Sequence, residues 1–200
     1  MRKGQTQIVS AILIVLIALG AVTSIIPWAN SMIQKRKDAK GTDDSYNFFQ
    51  KLDKSIRNIA ENGGEESLQL STNGIMTVYP ASVGGENNNS IVFLFISRVS
   101  NVAEGSWVPL NTPNANTTAT LGIDPSSVIF GRATKDGDRL KIEYKLWYRT
   151  LRDVNSGVTF KINLNTTNDQ IVQSSGFLRI QRIGTKQVQN LTTTEINIIV

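Results

Sequence analysis

Arg139–Leu151 reads RLKIEYKLWYRTL. Leu140, Ile142, Tyr144, Leu146 and Tyr148 fall on alternate positions, and their neighbours are charged or polar until Trp147. Successive side chains of an extended strand point to opposite faces. This period of two therefore predicts a strand with one face in a core and one in water. Asp136-Gly137 stands just upstream, after Arg132-Ala133-Thr134. An Asp-Gly pair between extended runs is a strong hairpin signal.

The same reading extends both ways from that stretch. Ser67–Ser71, Ile75–Pro80, Ser90–Ser97 (SIVFLFIS), Thr118–Ile123 and Ser126–Gly131 precede it; Gly157–Leu164, Gly176–Ile183 and Glu195–Val200 follow. Asn73-Gly74, Gly84-Gly85, Asp124-Pro125 and Asn155-Ser156-Gly157 punctuate the series with turn residues. About nine short strands with no helical pattern between them predict an antiparallel β-sandwich over residues 65–200, immunoglobulin-like or related. No internal repeat is present.

Upstream of Gly64 the period becomes helical. Phe49, Leu52, Ile56 and Ile59 form one apolar stripe, while Lys51, Lys54 and Arg57 point elsewhere. The stripe predicts a short amphipathic helix packed on the β domain. Asp43, Asp44 or Ser45 is its expected N-cap and Asn62-Gly63-Gly64 its end. Asp38–Asp44 (DAKGTDD) reads as a polar joint ahead of it, so residues 35–64 form a basic juxtamembrane joint plus helix.

Further upstream, Gly4–Gln34 carries no charge, and Ile8–Ile26 (IVSAILIVLIALGAVTSII) is almost wholly apolar. At 1.5 Å per residue, 19 helical residues reach roughly 28 Å, the hydrocarbon thickness of a bilayer. Trp28 follows, where an amphipathic ring suits the interface. A buried core helix is the plainer alternative, and its length argues against it. A cleaved secretory signal, with Ala18-Leu19-Gly20 as the site, leaves apolar residues to Ile26 unexplained. An uncleaved signal anchor and a cut ahead of the helix both remain open.

The order of features at the start favours the last. Met1-Arg2-Lys3-Gly4 is a short basic leader, followed by Gln5, Thr6, Gln7 and then the apolar run. This resembles the class III signal peptides of archaeal type IV pilin-like proteins. The resemblance covers about the first 35 residues. It implies residues 1–4 as leader, cleavage by a prepilin-type peptidase between Gly4 and Gln5 with Lys3 ahead of the cut, and residues 5–34 as a helix retained in the mature chain. Glutamine near the start of the mature helix, here Gln5 and Gln7, fits the archaeal pattern. The glutamate that bacterial pilins place fifth in the mature chain falls at Val9 here, and is absent.

Charge placement bears on location. Arg2, Lys3, Lys35, Arg36 and Lys37 hold five of the 21 basic residues, and from Asp38 onward 16 basic residues face 16 acidic ones. The basic excess brackets the apolar segment, which is the layout of a membrane element and not of a nucleic-acid groove. A literal positive-inside count puts the large domain in the cytoplasm, because Lys35, Arg36, Lys37 and Lys40 outnumber Arg2 and Lys3. Against this stand four Asn-x-Ser/Thr triplets, at Asn88, Asn116, Asn165 and Asn190. Such triplets accept glycans only in an exported chain. The expected location is the cytoplasmic membrane, single-pass, with residues 65–200 outside.

Cysteine and histidine are absent. That removes disulfides, thiol nucleophiles, the usual zinc sites and the commonest general base. No catalytic constellation, cofactor motif or metal motif emerges, so the expectation is not an enzyme. An enzyme running on carboxylates alone would need Glu143, Asp153 or Glu104 clustered in a pocket. Asp136 and Asp138 flank a turn glycine and lack the ligand spacing of a calcium loop. Trp107, Trp147, Tyr144 and Tyr148 would suit a sugar-stacking face or, more plainly, a sandwich core. Asn87–Ser90 and Thr112–Thr120 (TPNANTTAT) read as exposed loop tips.

The resulting expectation is α+β: a long apolar helix, a short amphipathic helix and a β-sandwich, serving as a pilin-like structural subunit or surface protein. Ala11, Ala18, Gly20 and Ala21 are small enough to let copies of the helix approach closely, and Pro27 marks a kink where it leaves the membrane or filament core. The rival expectation is a monomeric anchored module that binds surface-layer protein or glycan.

Overall fold

A computed structural model describes residues 3–70, 72–166, 171–173 and 176–199. The chain divides into two compact units, Met1–Asp38 and Ala39–Val200.

Helix α1 runs from Lys3 to Asn62 and includes Pro27. The expected joint at 38–44 is helical instead, and the expected short helix is the last part of α1. Gly41 there costs only about 1 kcal/mol relative to alanine. The caps foreseen at 43–45 lie inside the helix: Ser45 Oγ donates back to the Gly41 carbonyl at 2.7 Å, and Asp43 Oδ1 accepts from the Asn101 amide at 3.1 Å. The foreseen stop is observed. Gly63 and Gly64 take φ of +77° and +90°, and the Gly63 N–H closes on the Ile59 carbonyl at 2.9 Å, a left-handed glycine cap.

Twelve strands follow among the described residues: β1 (Glu65–Gln69), β2 (Ile75–Tyr79), β3 (Ser90–Ser97), β4 (Val108–Pro109), β5 (Thr118–Thr120), β6 (Ser127–Asp136), β7 (Arg139–Tyr148), β8 (Thr150–Arg152), β9 (Thr159–Asn165), β10 (Ile171–Gln173), β11 (Phe177–Val188) and β12 (Leu191–Ile199). They form two six-stranded sheets, ordered β1-β11-β12-β9-β8-β5 and β10-β2-β3-β7-β6-β4. The fold class is α+β with a β-sandwich. Of the expected first strand and last strand, Ser71 and Val200 lie outside the described residues.

Two pairings correct the all-antiparallel expectation. β12 lies parallel to β9, and β5 lies parallel to β8. Parallel neighbours need a crossover, usually a helix. Here the crossovers pass through the opposite sheet. Between β9 and β12 the chain visits β10; between β5 and β8 it visits β6 and β7. Strands thus replace the crossover helices whose absence had argued for antiparallel pairing.

The Asp-Gly hairpin is confirmed, with Asp136 opposite Arg139 and Gly137 at φ +63°. The run at Arg139–Leu151 breaks at Arg149, where the chain passes from one sheet to the other. Its even-numbered face is as expected: Ile142, Tyr144, Leu146 and Tyr148 are buried against Phe49, Leu52, Ile56 and Ile59 of α1 and against Leu164, Ile180, Ile196 and Ile198 of the other sheet, in one cluster. Burying each such side chain contributes about 1.5–3 kcal/mol.

The opposite face of β7 corrects the expectation of a wet surface. Glu143 and Lys145 are each only 6% exposed. The segment through Trp107 and β4 covers them, pairing Val108 with Gly131. The approach is close: a Cβ at Gly131 would lie 2.6 Å from Val102 Cγ1 and 3.0 Å from Leu110 Cδ1, so any side chain there would have to push Val102 aside. The buried charges are compensated. Arg132 Nε donates to Glu143 Oε2 at 2.6 Å, and Lys141 lies 3.7 Å from Glu143.

Candidate functional site: the apolar helix and the surface of the β unit

The apolar part of α1 presents its side chains to the surroundings on every side. Ile14 is 66% exposed and Trp28 63%, and every large apolar residue from Ile12 to Ile33 exceeds 40%. An 18-residue window of this helix reaches a mean hydropathy of 2.4 with none of it buried. Length and composition make it a candidate membrane span. Two of its hydroxyls bond within the helix. Thr23 Oγ1 donates to the Leu19 and Gly20 carbonyls, each at 3.0 Å, and Ser24 Oγ donates to Gly20 at 2.8 Å. In hydrocarbon such back-bonding avoids an unpaired donor.

Ala11, Ala18, Gly20, Ala21 and Pro27 are exposed on this helix, and a Cβ built on Gly20 meets nothing within 4 Å. Lys3, Gly4 and Gln5 belong to its first turns. Met1 and Arg2 of the expected leader lie outside the described residues.

The four glycan-type triplets differ in accessibility. Asn116 and Asn190 are exposed, while Asn88 and Asn165 are half-buried. The Asn165 amide donates to the Glu195 carboxylate, and Thr167 of its triplet lies outside the described residues. In the Asn88 triplet the Ser90 hydroxyl is buried and donates to the Asn87 carbonyl at 2.6 Å.

The four aromatic residues divide in two. Tyr144 and Tyr148 are core residues. Tyr144 Oη donates to Asn101 Oδ1 at 2.7 Å, and Tyr148 Oη donates to Asp53 Oδ1 at 2.9 Å. Desolvation pushes the Tyr144 hydroxyl up to about 12, and desolvation followed by the Asp53 charge pushes Tyr148 well above its ordinary value. Trp107 and Trp147 lie half-buried on the outer face of the second sheet, around Phe130. The Trp107 ring holds the Arg132 guanidinium at 4.4 Å and Lys145 Nζ at 4.6 Å. Desolvation lowers the Lys145 pKa.

The three carboxylates of the catalytic alternative lie in different surroundings. Glu143 pairs with Arg132 and Lys141. Asp153 Oδ1 accepts the Asn155 N–H at 3.0 Å, and its pKa is lowered chiefly by the Ser156 hydroxyl. Glu104 forms a backbone bridge to Ala133. No group of three or more metal-capable side chains occurs among the described residues.

Two residues escaped the sequence reading. Asn89, expected on a loop tip, is buried with φ +55°. Its amide nitrogen donates to the carbonyls of Tyr148 at 3.0 Å and Ile162 at 2.8 Å, and its oxygen accepts the Leu164 N–H at 2.8 Å. It thereby ties β7 of one sheet to β9 of the other. Arg149, at the step between sheets, is 1% exposed and binds the carbonyls of Asn114, Asn116 and Pro125. A charged residue where the apolar alternation stops was the only available signal.

Comparison with models of known protein families gives no match, and neither does comparison with curated protein sequences.

Proposed function

We propose that this chain is a pilin-like structural subunit, anchored by its N-terminal helix and carrying its β-sandwich outside the cell. A prepilin-type peptidase removes residues 1–4, and copies assemble through the helix into a filament. One observation carries the reading: α1 exposes an uncharged, largely apolar surface from Ser10 to Ile33, and the same helix ends in the core of the β unit, through Phe49, Leu52, Ile56 and Ile59. An element that needs only to hold a protein in lipid requires apolar bulk. One that packs against its copies requires small residues where backbones approach.

The test separates the two. Ala18→Leu and Gly20→Leu keep the helix apolar; Ala18 is exposed and a Cβ at Gly20 meets nothing within 4 Å. Both variants are expected to stay in the membrane fraction and to lose filaments in sheared surface material, read by electron microscopy and native gels. Wild type that never leaves the monomer state, or variants that assemble like wild type, would overturn assembly through the helix. Mass increments on peptides containing Asn116 and Asn190, the two exposed acceptors, test the outside location.

A further inference from the structure

The corner where the chain changes sheets concentrates positive charge. Arg149 is 1% exposed. Its Nε and Nη1 donate to the carbonyls of Pro125 at 3.0 Å, Asn114 at 2.7 Å and Asn116 at 3.3 Å, and its Nη2 is buried without an acceptor. No ion pair to the guanidinium forms among the described residues; Asp124 acts on it only through space. Carbonyls satisfy donors but do not cancel a buried charge. Lys161 of β9 is a second cation, whose side chain makes no hydrogen bond or ion pair to any described residue.

Both cations line a cavity of about 370 Å³, together with Trp147, Thr150, Asn88 and Glu86. That volume is within the roughly 300–1,000 Å³ of small-molecule sites. Glu86 is the one carboxylate on the wall, so the lining is net positive. An indole, two cations and neutral hydrogen-bonding groups around one small cavity are suited to a flat-faced, hydroxylated anion.

We infer that this corner binds a carboxylate-bearing sugar, a uronate unit. Lys161 pairs with the carboxylate, the charge of Arg149 keeps the cavity positive, Trp147 offers its ring to the sugar face, and Thr150 and Asn88 serve the hydroxyls. The site lies wholly within the β unit and stands whether or not the helix assembles.

The test uses the full chain in detergent, titrated with glucuronate, polygalacturonate, glucose and inorganic sulfate, with binding followed by calorimetry and tryptophan emission. Glucuronate or polygalacturonate is expected to bind and glucose is not; binding of the polymer alone identifies a chain of uronates as the source. Lys161→Gln is expected to weaken binding about tenfold, the usual size of one charge-assisted contact. Trp147→Leu is a second variant, and Lys135→Gln, on the distant Asp-Gly hairpin, is expected to change nothing. Arg149 is left intact because it holds the 114–125 segment. Three results would overturn the inference: no uronate binding by a cooperatively melting wild type, sulfate or glucose binding as tightly as glucuronate, or unchanged affinity in folded Lys161→Gln.

Discussion

Asn89 shows how much of the sandwich depends on one side chain. Its amide satisfies two carbonyls and one N–H drawn from both sheets, and its backbone holds φ +55°, which asparagine tolerates better than most residues. Asn89→Ala leaves all three buried groups unpaired and adds backbone strain. The expected loss is about 3–5 kcal/mol, read from denaturant midpoints. Asn89→Gly should recover only the strain, about 1 kcal/mol. A loss below that in the alanine variant would show that the joint is held elsewhere. A second residue-scale expectation concerns the core tyrosines. Their folded-state pKa values are raised, Tyr144 to about 12, while the unfolded chain titrates near pH 10. Their contribution is therefore fully present below about pH 10 and is lost as pH rises toward about 12. For Tyr144 this amounts to about 2–3 kcal/mol. Melting temperatures across this range should fall more steeply in wild type than in a Tyr144→Phe, Tyr148→Phe double variant. Parallel curves would contradict the assignment.

The elements were legible where one pattern served one purpose. The stripe Phe49, Leu52, Ile56 and Ile59 predicted a buried helical face, and all four are in the core. Phe49→Ala is expected to lower the stability of the β unit by about 3–5 kcal/mol without releasing the chain from membranes, by the usual cost of removing a buried aromatic ring. Unchanged stability would mean that the helix only rests on the sheets. Where two demands met, the sequence misled. The charged positions of β7 read as solvated, yet Trp107 and Phe130 cover Lys145, and Arg132 neutralises Glu143; only the tertiary fold brings the covering segment there. β4 and β10, of two and three residues, are too short to show a period. The β11–β12 hairpin turns at Gln189, with φ +52°, where no glycine announced it. Asp38–Asp44 offered capping residues, but caps act only where a helix ends. Arg149, at the step between β7 and β8, and Lys161 of β9, the cations of the corner cavity, lie 12 residues apart in sequence and belong to one site only after folding.

For the whole molecule, the chain divides into two compact units between Asp38 and Ala39. Thr42 is 1% exposed, and its carbonyl accepts a hydrogen bond from Tyr144 Oη at 3.3 Å. A fragment of residues 39–200 is therefore expected to melt cooperatively and to show a β-dominated circular dichroism spectrum, and removing residues 39–44 should lower its midpoint. An insoluble product would contradict the independence of this unit. The first unit is the part on which the proposed function turns. If the chain is pilin-like, the apolar helix survives processing; if the segment is an ordinary secretory signal, it does not. Intact-mass analysis with N-terminal sequencing of native protein decides between these. The expected mature chain starts at Gln5 and keeps the whole apolar helix. A chain starting at Met1, or one starting near Ala21, would contradict the account.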